Sequence, residues 1–159
     1  MPLTYRERLR IEGFTLAGSG ALGSILLLTL TAQAKRWPLS TIGQLLLVVA
    51  LLAYLGPRAT RKALREARGM SRDELGSGEP TPLWQLPAIV IALTLLVAEP
   101  LGAGWDAGLR VTGGCTIVGL FQALVLERQV ARAEQVDGRS YHRVPGSRIG
   151  RGTRLGHSE

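Results

Sequence analysis

The sequence has few of the residues from which catalytic and metal centres are built. Its one cysteine, Cys115, excludes a disulfide within the chain, and its two histidines, His142 and His157, do not stand in a Cys/His spacing typical of a metal site. A phosphate-binding glycine loop, an HExxH segment and a GxSxG segment are all missing. The sequence therefore indicates no catalytic residue, no metal and no cofactor.

Charge is also missing, over long stretches of the chain. Four runs contain no charged side chain, at residues 13–34, 37–56, 83–98 and 111–126. The first two contain 22 and 20 residues, and the last two contain 16 each. A helix needs about 20 predominantly apolar residues to cross a bilayer, so the first two runs suffice alone and the last two need a few flanking residues.

Two alternative interpretations fit these runs less well. Buried helices of a soluble all-α domain keep a polar face, and residues 25–30 and 45–52 have none. A membrane-spanning β-barrel requires alternating apolar and polar residues in many more segments than four. Because backbone groups in lipid must be hydrogen-bonded within the segment, helices remain.

The sequence therefore predicts an all-α, polytopic membrane protein whose residues 13–126 form a bundle of four transmembrane helices. The predicted spans are residues 14–34, 38–56, 83–103 and 107–126. A segment at 1–12, a loop at 57–82 containing a short basic helix, and a flexible basic tail at 127–159 lie outside the bilayer. Trp37, Trp84 and Trp105 fall at predicted span ends, where aromatic rings favour the headgroup region.

The distribution of positive charge predicts the orientation. The chain has a net charge of +7, and its 19 basic residues include 17 arginines. The N-terminal segment, the central loop and the C-terminal tail together contain 16 of them, whereas the connection between the first two spans contains two, Lys35 and Arg36. Basic residues favour the cytoplasmic side, so both termini and the central loop are expected in the cytoplasm.

The first span could instead be a cleaved signal peptide. It follows a basic segment and ends Ala32-Gln33-Ala34, a pattern that signal peptidase recognises. The run of 22 residues is longer than the apolar part of a signal peptide, about 7 to 15 residues, which favours an uncleaved helix. Cleavage after Ala34 would leave three helices with the remaining topology unchanged.

A basic stripe is predicted on the short helix at residues 59–69. Its cations follow helical spacing at Arg58, Arg61, Lys62, Arg65 and Arg68. Such a stripe beside a membrane exit is attracted to anionic lipid headgroups, by about 1 kcal/mol per residue. The alternative is that these residues only set the positive-inside bias.

The tail is expected to continue the fourth helix from Glu127 to about Val136 and to stop at Asp137-Gly138. From Arg139 onward it is rich in glycine and arginine, which predicts disorder or attachment to the membrane surface. Nucleic-acid binding is disfavoured, because the segment has too few rings, such as Tyr141 and His142, on which bases could stack.

The ionisable residues near the spans form a candidate polar site. Topology would place five polar residues in one layer at the outer ends of the helices: Glu99, Arg110, Asp106, Gln33 and Gln44. Charges inside a membrane are costly and mark function by default. The two interpretations are a site for a ligand or partner subunit, and a structural Glu99–Arg110 pair with ordinary helix ends reaching water.

Small residues recur in the first and fourth spans. Ala17 with Ala21 and Gly20 with Ser24 have the four-residue spacing that lets helices approach closely in lipid, and Gly113, Gly114 and Gly119 recur in the fourth span. This pattern predicts a compact bundle, and it leaves open whether these faces serve internal packing or contacts between copies of the chain.

These features favour a non-enzymatic accessory or scaffold subunit of the plasma membrane. The arginine-rich, disulfide-free composition suits a bacterial membrane. The bilayer, its anionic headgroups, a partner membrane protein or a second copy of the chain are the expected partners. A small oligomeric transporter or channel, using the outer polar layer, is the alternative, and a membrane enzyme is a third class for which the sequence offers no catalytic set.

Overall fold

The computed structural model describes residues 3–30, 39–69, 85–98, 104–143 and 155–158, and the chain in these ranges is mostly helical. Helix α1 spans Tyr5–Leu30, α2 spans Leu39–Arg65 and α3 spans Gln85–Ala98. Helix α4, Gly104–Phe121, continues through a π-helical turn at Gln122–Leu126 into α5, Glu127–Asp137. Three short strands complete the fold: β1 at Arg68–Gly69, β2 at Ser140–Arg143 and β3 at Leu155–Ser158.

Three of the helical segments are long and apolar enough to cross a membrane. They are Tyr5–Thr29, Ile42–Arg65 and Ala107–Asp137, and a shorter apolar helix lies at Gln85–Thr94. Large apolar side chains on these helices are exposed rather than packed, among them Leu22 at 70% and Leu46 at 64% exposure. An apolar exterior of this kind suits a lipid environment.

Helix α1 begins inside the segment that precedes the first predicted span. Thr4 forms a capping box with Glu7, because the Glu7 backbone N–H donates to Thr4 Oγ1 and the Thr4 backbone N–H donates to Glu7 Oε2. These bonds satisfy N–H groups that lack a partner in the first helical turn. The basic N-terminal segment is therefore the start of α1.

The second helix does not end with the second predicted span at residue 56, so the loop predicted from residue 57 begins too early. Helix α2 runs through Pro57 to Arg65, so the residues assigned to a separate basic helix at 59–69 are mostly its last two turns. Proline in a helix forfeits the bond from its own nitrogen. Packing on α5 holds the helix together across this point, and Gln129 Nε2 donates to the Pro57 carbonyl at 3.0 Å.

Helices α1 and α4 are antiparallel and meet through glycine. A Cβ atom added to Gly20 would lie 2.5 Å from the Thr112 carbonyl oxygen, and one added to Gly119 would lie 2.5 Å from the Ala17 nitrogen and the Gly13 carbonyl oxygen. The two backbones are thus in direct contact, along a surface that we call the glycine seam, defined by Gly13, Ala17, Gly20, Thr112, Thr116 and Gly119. These small residues therefore serve packing within the chain.

Hydroxyl groups also cross the glycine seam. Ser24 Oγ donates to Thr112 Oγ1 at 2.8 Å, and Thr112 Oγ1 in turn donates to the Gly108 carbonyl at 3.0 Å. Thr112 is 1% exposed. Its hydroxyl is therefore satisfied both along α4 and across to α1, as a buried polar group in an apolar surrounding requires.

The prediction of an all-α fold with a flexible tail is wrong for two parts of the tail. Strands β2 and β3 pair antiparallel with Tyr141 opposite His157, and β3 pairs in parallel with β1 of the central loop, giving the order β1-β3-β2. Tyr141 and Leu155 are 4% and 2% exposed, so the small sheet has an apolar side to bury. The predicted helix stop is confirmed, because Gly138 closes α5 with φ 64°.

Four separate segments of the chain meet at one end of the helices. Leu9 of α1, Val130 of α5 and Tyr141 of β2 form a buried cluster. Further residues pack against it from α1, α5, the π-helical turn, and the end of α2 with the residues just after it, namely Tyr5, Leu64, Ala67, Leu126 and Ala133. We call this cluster, with the ends of α1, α2 and α5 and the three-stranded sheet around it, the cap.

Candidate functional site

The cap is held together by Tyr141. Its ring lies in the buried cluster, its hydroxyl donates to Asp137 Oδ2 at 2.6 Å, and its backbone N–H donates to Glu134 Oε1 at 3.2 Å. Burial, and then the hydrogen bond to Asp137, raise the pKa of Tyr141 to about 12. The tyrosine therefore ties β2 back onto the last turn of α5 in its neutral form.

One ion pair joins two helices beside this cluster, and another lies within α1. Arg6 Nε of α1 pairs with Glu127 Oε1 of α5, whereas Arg8 of α1 lies 4.0 Å from Glu12 of the same helix. The Arg6–Glu127 pair fixes the start of α1 beside the start of α5. Surface pairs of this kind add little stability, so its main effect is on the relative position of the two helices.

The outer surface of the cap is strongly basic. Nine cationic side chains of the described residues are exposed there, on α1, α2, α5 and the turn before β2: Arg6, Arg10, Arg58, Arg61, Lys62, Arg65, Arg128, Arg132 and Arg139. Lys62 is partly neutralised by Glu66, at 3.9 Å. Because the elements of the cap converge, the basic residues of three sequence segments form one positively charged end.

Arg58 differs from the other cations because its position is fixed. Its guanidinium carbon lies 3.5 Å from the centroid of the Tyr54 ring, and its Nη1 donates to the Tyr54 carbonyl at 2.9 Å. The cation–π contact and the hydrogen bond hold the side chain against the helix one turn earlier. Of the predicted lipid contacts, Arg58, Arg61, Lys62 and Arg65 are exposed on α2, and the side chain of Arg68 lies outside the described residues.

The outer polar layer is described only in part. Gln33 and Glu99 lie outside the described residues, and Asp106 lies within α4 with a side chain that is not described. Gln44 is exposed on α2, and Arg110 is half-buried on α4. Arg110 comes two residues after Gly108, and a Cβ atom at Gly108 would contact Leu27 of α1 and Thr94 of α3. Arg110 therefore lies near the end of α4 that is opposite the cap. A site that gathers all five residues stays a prediction.

No family model, curated protein or solved structure matches this chain.

The cap is the feature that reasoning from the sequence missed. Tyr141 and His142 were expected in a flexible tail, but both are buried. The sequence held one local signal for the burial of Tyr141. This residue follows closely on the helix stop at Gly138, so it stays near Asp137 and Glu134, which can bond its hydroxyl and its N–H. Within the described ranges, no group of three or more His, Cys, Asp or Glu side chains could hold a metal ion. What the described part of the cap offers is an exposed set of positively charged side chains.

Proposed function

We propose that this chain is a multi-pass plasma-membrane protein that acts as a non-enzymatic accessory or scaffold subunit. Four helices cross the bilayer, with both termini and the cap in the cytoplasm. The observation that carries the proposal is the cap, which folds from segments far apart in the sequence at the end where basic residues gather. A folded, positively charged surface on an apolar anchor suits the recruitment of a partner or of anionic lipid.

The packing of the helices supports a structural role for the membrane part. At the glycine seam the backbones of α1 and α4 touch, which leaves no room between these two helices for a path. Thr112, the buried hydroxyl at this contact, bonds to Ser24 and Gly108 and offers no free group to a passing ion. The described interior between α1 and α4 is therefore filled by small side chains.

The charge distribution supports the orientation. The N-terminal segment, the central loop and the tail contain 16 basic residues, and their described parts meet at the cap. The sequence between α1 and α2 contains only two basic residues, Lys35 and Arg36. The positive-inside bias then favours a cytoplasmic cap.

Labelling in intact cells tests this topology. Single cysteines are placed at Val136, which is 84% exposed on the cap, and at Ala103, before α4, in a Cys115→Ala background. We expect a membrane-impermeant thiol reagent to label position 103 in intact cells and position 136 only after permeabilisation. Labelling of position 136 alone in intact cells would reverse the orientation and refute a cytoplasmic cap.

Site-specific photo-crosslinking tests the scaffold role. A photoreactive residue at Val136 is compared with one at Leu22, which is 70% exposed on the apolar surface of α1. We expect a discrete protein adduct from position 136 and none from position 22.

A transporter or channel is the competing proposal, and it depends on the outer layer of Glu99, Arg110, Asp106, Gln33 and Gln44. Proteoliposomes containing the purified chain would decide between the two. We expect no proton or cation flux above that of protein-free vesicles. Flux that disappears with Glu99→Gln, together with no adduct from position 136, would replace the scaffold proposal.

A further inference from the structure

Helix α2 has two faces along its last three turns. Leu64 is half-buried and packs on the cap cluster, as does Ala67 just after the helix, and Thr60, one turn before Leu64, is 7% exposed. Residues four or three positions apart lie on one face of a helix. Arg58, Arg61 or Lys62, and Arg65 follow this spacing on the opposite face, where all four are exposed.

The same outer face continues toward the middle of the helix as an apolar surface. Leu47, Leu51 and Tyr54 precede Arg58 at spacings of four, three and four residues. They are 60%, 48% and 60% exposed, so about half or more of each side chain is open to its surroundings in the described chain. Because α2 is continuous through Pro57, the apolar and basic parts lie on the same helix and follow one another along it as one strip.

The strip changes from apolar to basic at Arg58, whose side chain is already held in place. Arg58 lies over the Tyr54 ring and is bonded to the Tyr54 carbonyl, which leaves its other guanidinium nitrogens available to an anion. Arg61 and Lys62 lie about 5 Å further along the axis, within reach of the same phosphate-sized group. A held guanidinium loses less conformational freedom on binding than a mobile one.

We propose that this strip binds a single anionic phospholipid, with an acyl chain along Leu47 and Leu51 and the phosphate at Arg58, Arg61 and Lys62. The inference rests on the proposed function, because it needs α2 in a bilayer. A lipid is the occupant that matches both halves of the strip, since an acidic peptide or a nucleic acid would match only the basic half. Arg65 lies about 10 Å beyond Arg58 along the helix, at the far end of a headgroup.

Lipid binding to the detergent-purified full chain tests this inference. Native mass spectrometry compares phosphatidylglycerol and phosphatidylcholine with identical acyl chains. We expect one phosphatidylglycerol per chain, bound at least ~10-fold more tightly than phosphatidylcholine, because each basic residue adds roughly a factor of five to the attraction. The Arg58→Ala, Arg61→Ala, Lys62→Ala variant should bind both lipids equally.

A matched control removes the same charge from the same end of the molecule. Arg128, Arg132 and Arg139 are exposed on α5 and the turn after it, and Gln129 contacts Pro57, which puts Arg128 near the depth of Arg58. Replacement of these three arginines by alanine should leave the preference for phosphatidylglycerol unchanged. An equal loss in this control would show that net charge attracts the lipid, and would overturn a site on α2.

A single substitution guards against loss of the fold. Tyr54→Leu keeps the apolar face but removes the ring that holds Arg58, and Tyr54 is exposed, so the cap is not disturbed. We expect the preference for phosphatidylglycerol over phosphatidylcholine to be several-fold weaker, and the elution profile of the purified protein to be unchanged. An unchanged preference in both this variant and the triple alanine variant would overturn the proposal.

Alkaline extraction separates this inference from the proposed function. If the wild-type chain remains in membranes after the wash but shows no lipid preference, the lipid site alone is refuted. If the wash releases the chain, the membrane-spanning proposal fails, and the lipid site fails with it.

Discussion

Alanine substitution at glycines of α1 and α4 gives a sharp test of the fold, because the same chemical change meets different surroundings. At Gly119 the new methyl carbon would lie 2.5 Å from the Ala17 nitrogen and the Gly13 carbonyl oxygen. These are backbone atoms, so they move only if the helices move. At Gly114, on the same helix, the added methyl carbon would meet no neighbouring side chain or helix within 4 Å. Gly20 and Gly18 form the corresponding pair on α1, since a Cβ at Gly20 meets the Thr112 carbonyl and one at Gly18 meets nothing.

The size of the effect follows from the separation that the methyl group imposes. Ordinary contacts lie at about 3.5–4.0 Å, so α1 and α4 must part by about 1 Å, and a gap of this size forfeits a quarter to a half of each dispersion contact along the seam. Overpacking of this kind costs about 1–3 kcal/mol. Gly119→Ala and Gly20→Ala should therefore destabilise the chain by that amount, whereas Gly114→Ala and Gly18→Ala should be neutral or mildly stabilising, because alanine favours helix.

The assay is the fraction of detergent-solubilised protein that stays monodisperse after heating, measured for all four variants under identical conditions. For a chain of this length about 1 kcal/mol corresponds to a shift of about 2–4 °C, so the two pairs should differ by several degrees. If Gly119→Ala melts together with Gly114→Ala, the backbones of α1 and α4 are not in contact and the reasoning fails. A larger substitution, Gly119→Val, should deepen the loss if the seam exists.

Two further predictions concern single hydrogen bonds. Thr112→Val removes the buried hydroxyl that links α1 to α4, and we expect a loss of about 1 kcal/mol in the same heating assay. Thr29→Val is the control, because the Thr29 hydroxyl bonds only to the Leu26 carbonyl on an exposed surface. This variant should be near neutral. Equal losses in the two variants would argue against the Ser24–Thr112 bond. In the cap, the pKa of Tyr141 is about 12 when folded and near 10 when unfolded, so its stabilising effect is complete below pH 10 and is lost as the pH rises through 12. Absorbance titration at 295 nm should show one tyrosine that ionises last and is missing in Tyr141→Phe, and a titration unchanged by that substitution would place Tyr141 in water.

The sequence alone determined the features that depend on local composition. Runs without charge predict long apolar helices, and three of the described helices have the required length and apolarity. Asp137-Gly138 predicts the end of α5, because glycine accepts the left-handed conformation that closes a helix. The exposure of the basic residues on α2 follows from the cost of burying charge. The candidate outer layer, by contrast, stays a prediction, since Gln33 and Glu99 lie outside the described residues.

Only the tertiary structure decided which partners these elements meet. Proline signals the end of a helix locally, but contacts with α5 carry α2 past Pro57. Gly20 and Gly119 are small in any arrangement, and the fold packs Gly20 against Thr112 and Gly119 against Ala17 within the chain. From the sequence Tyr141 is part of a polar tail, whereas in the structure it packs against Leu9 and Val130. In each case the deciding energy comes from contacts between residues far apart in the chain, which local composition and periodicity do not contain.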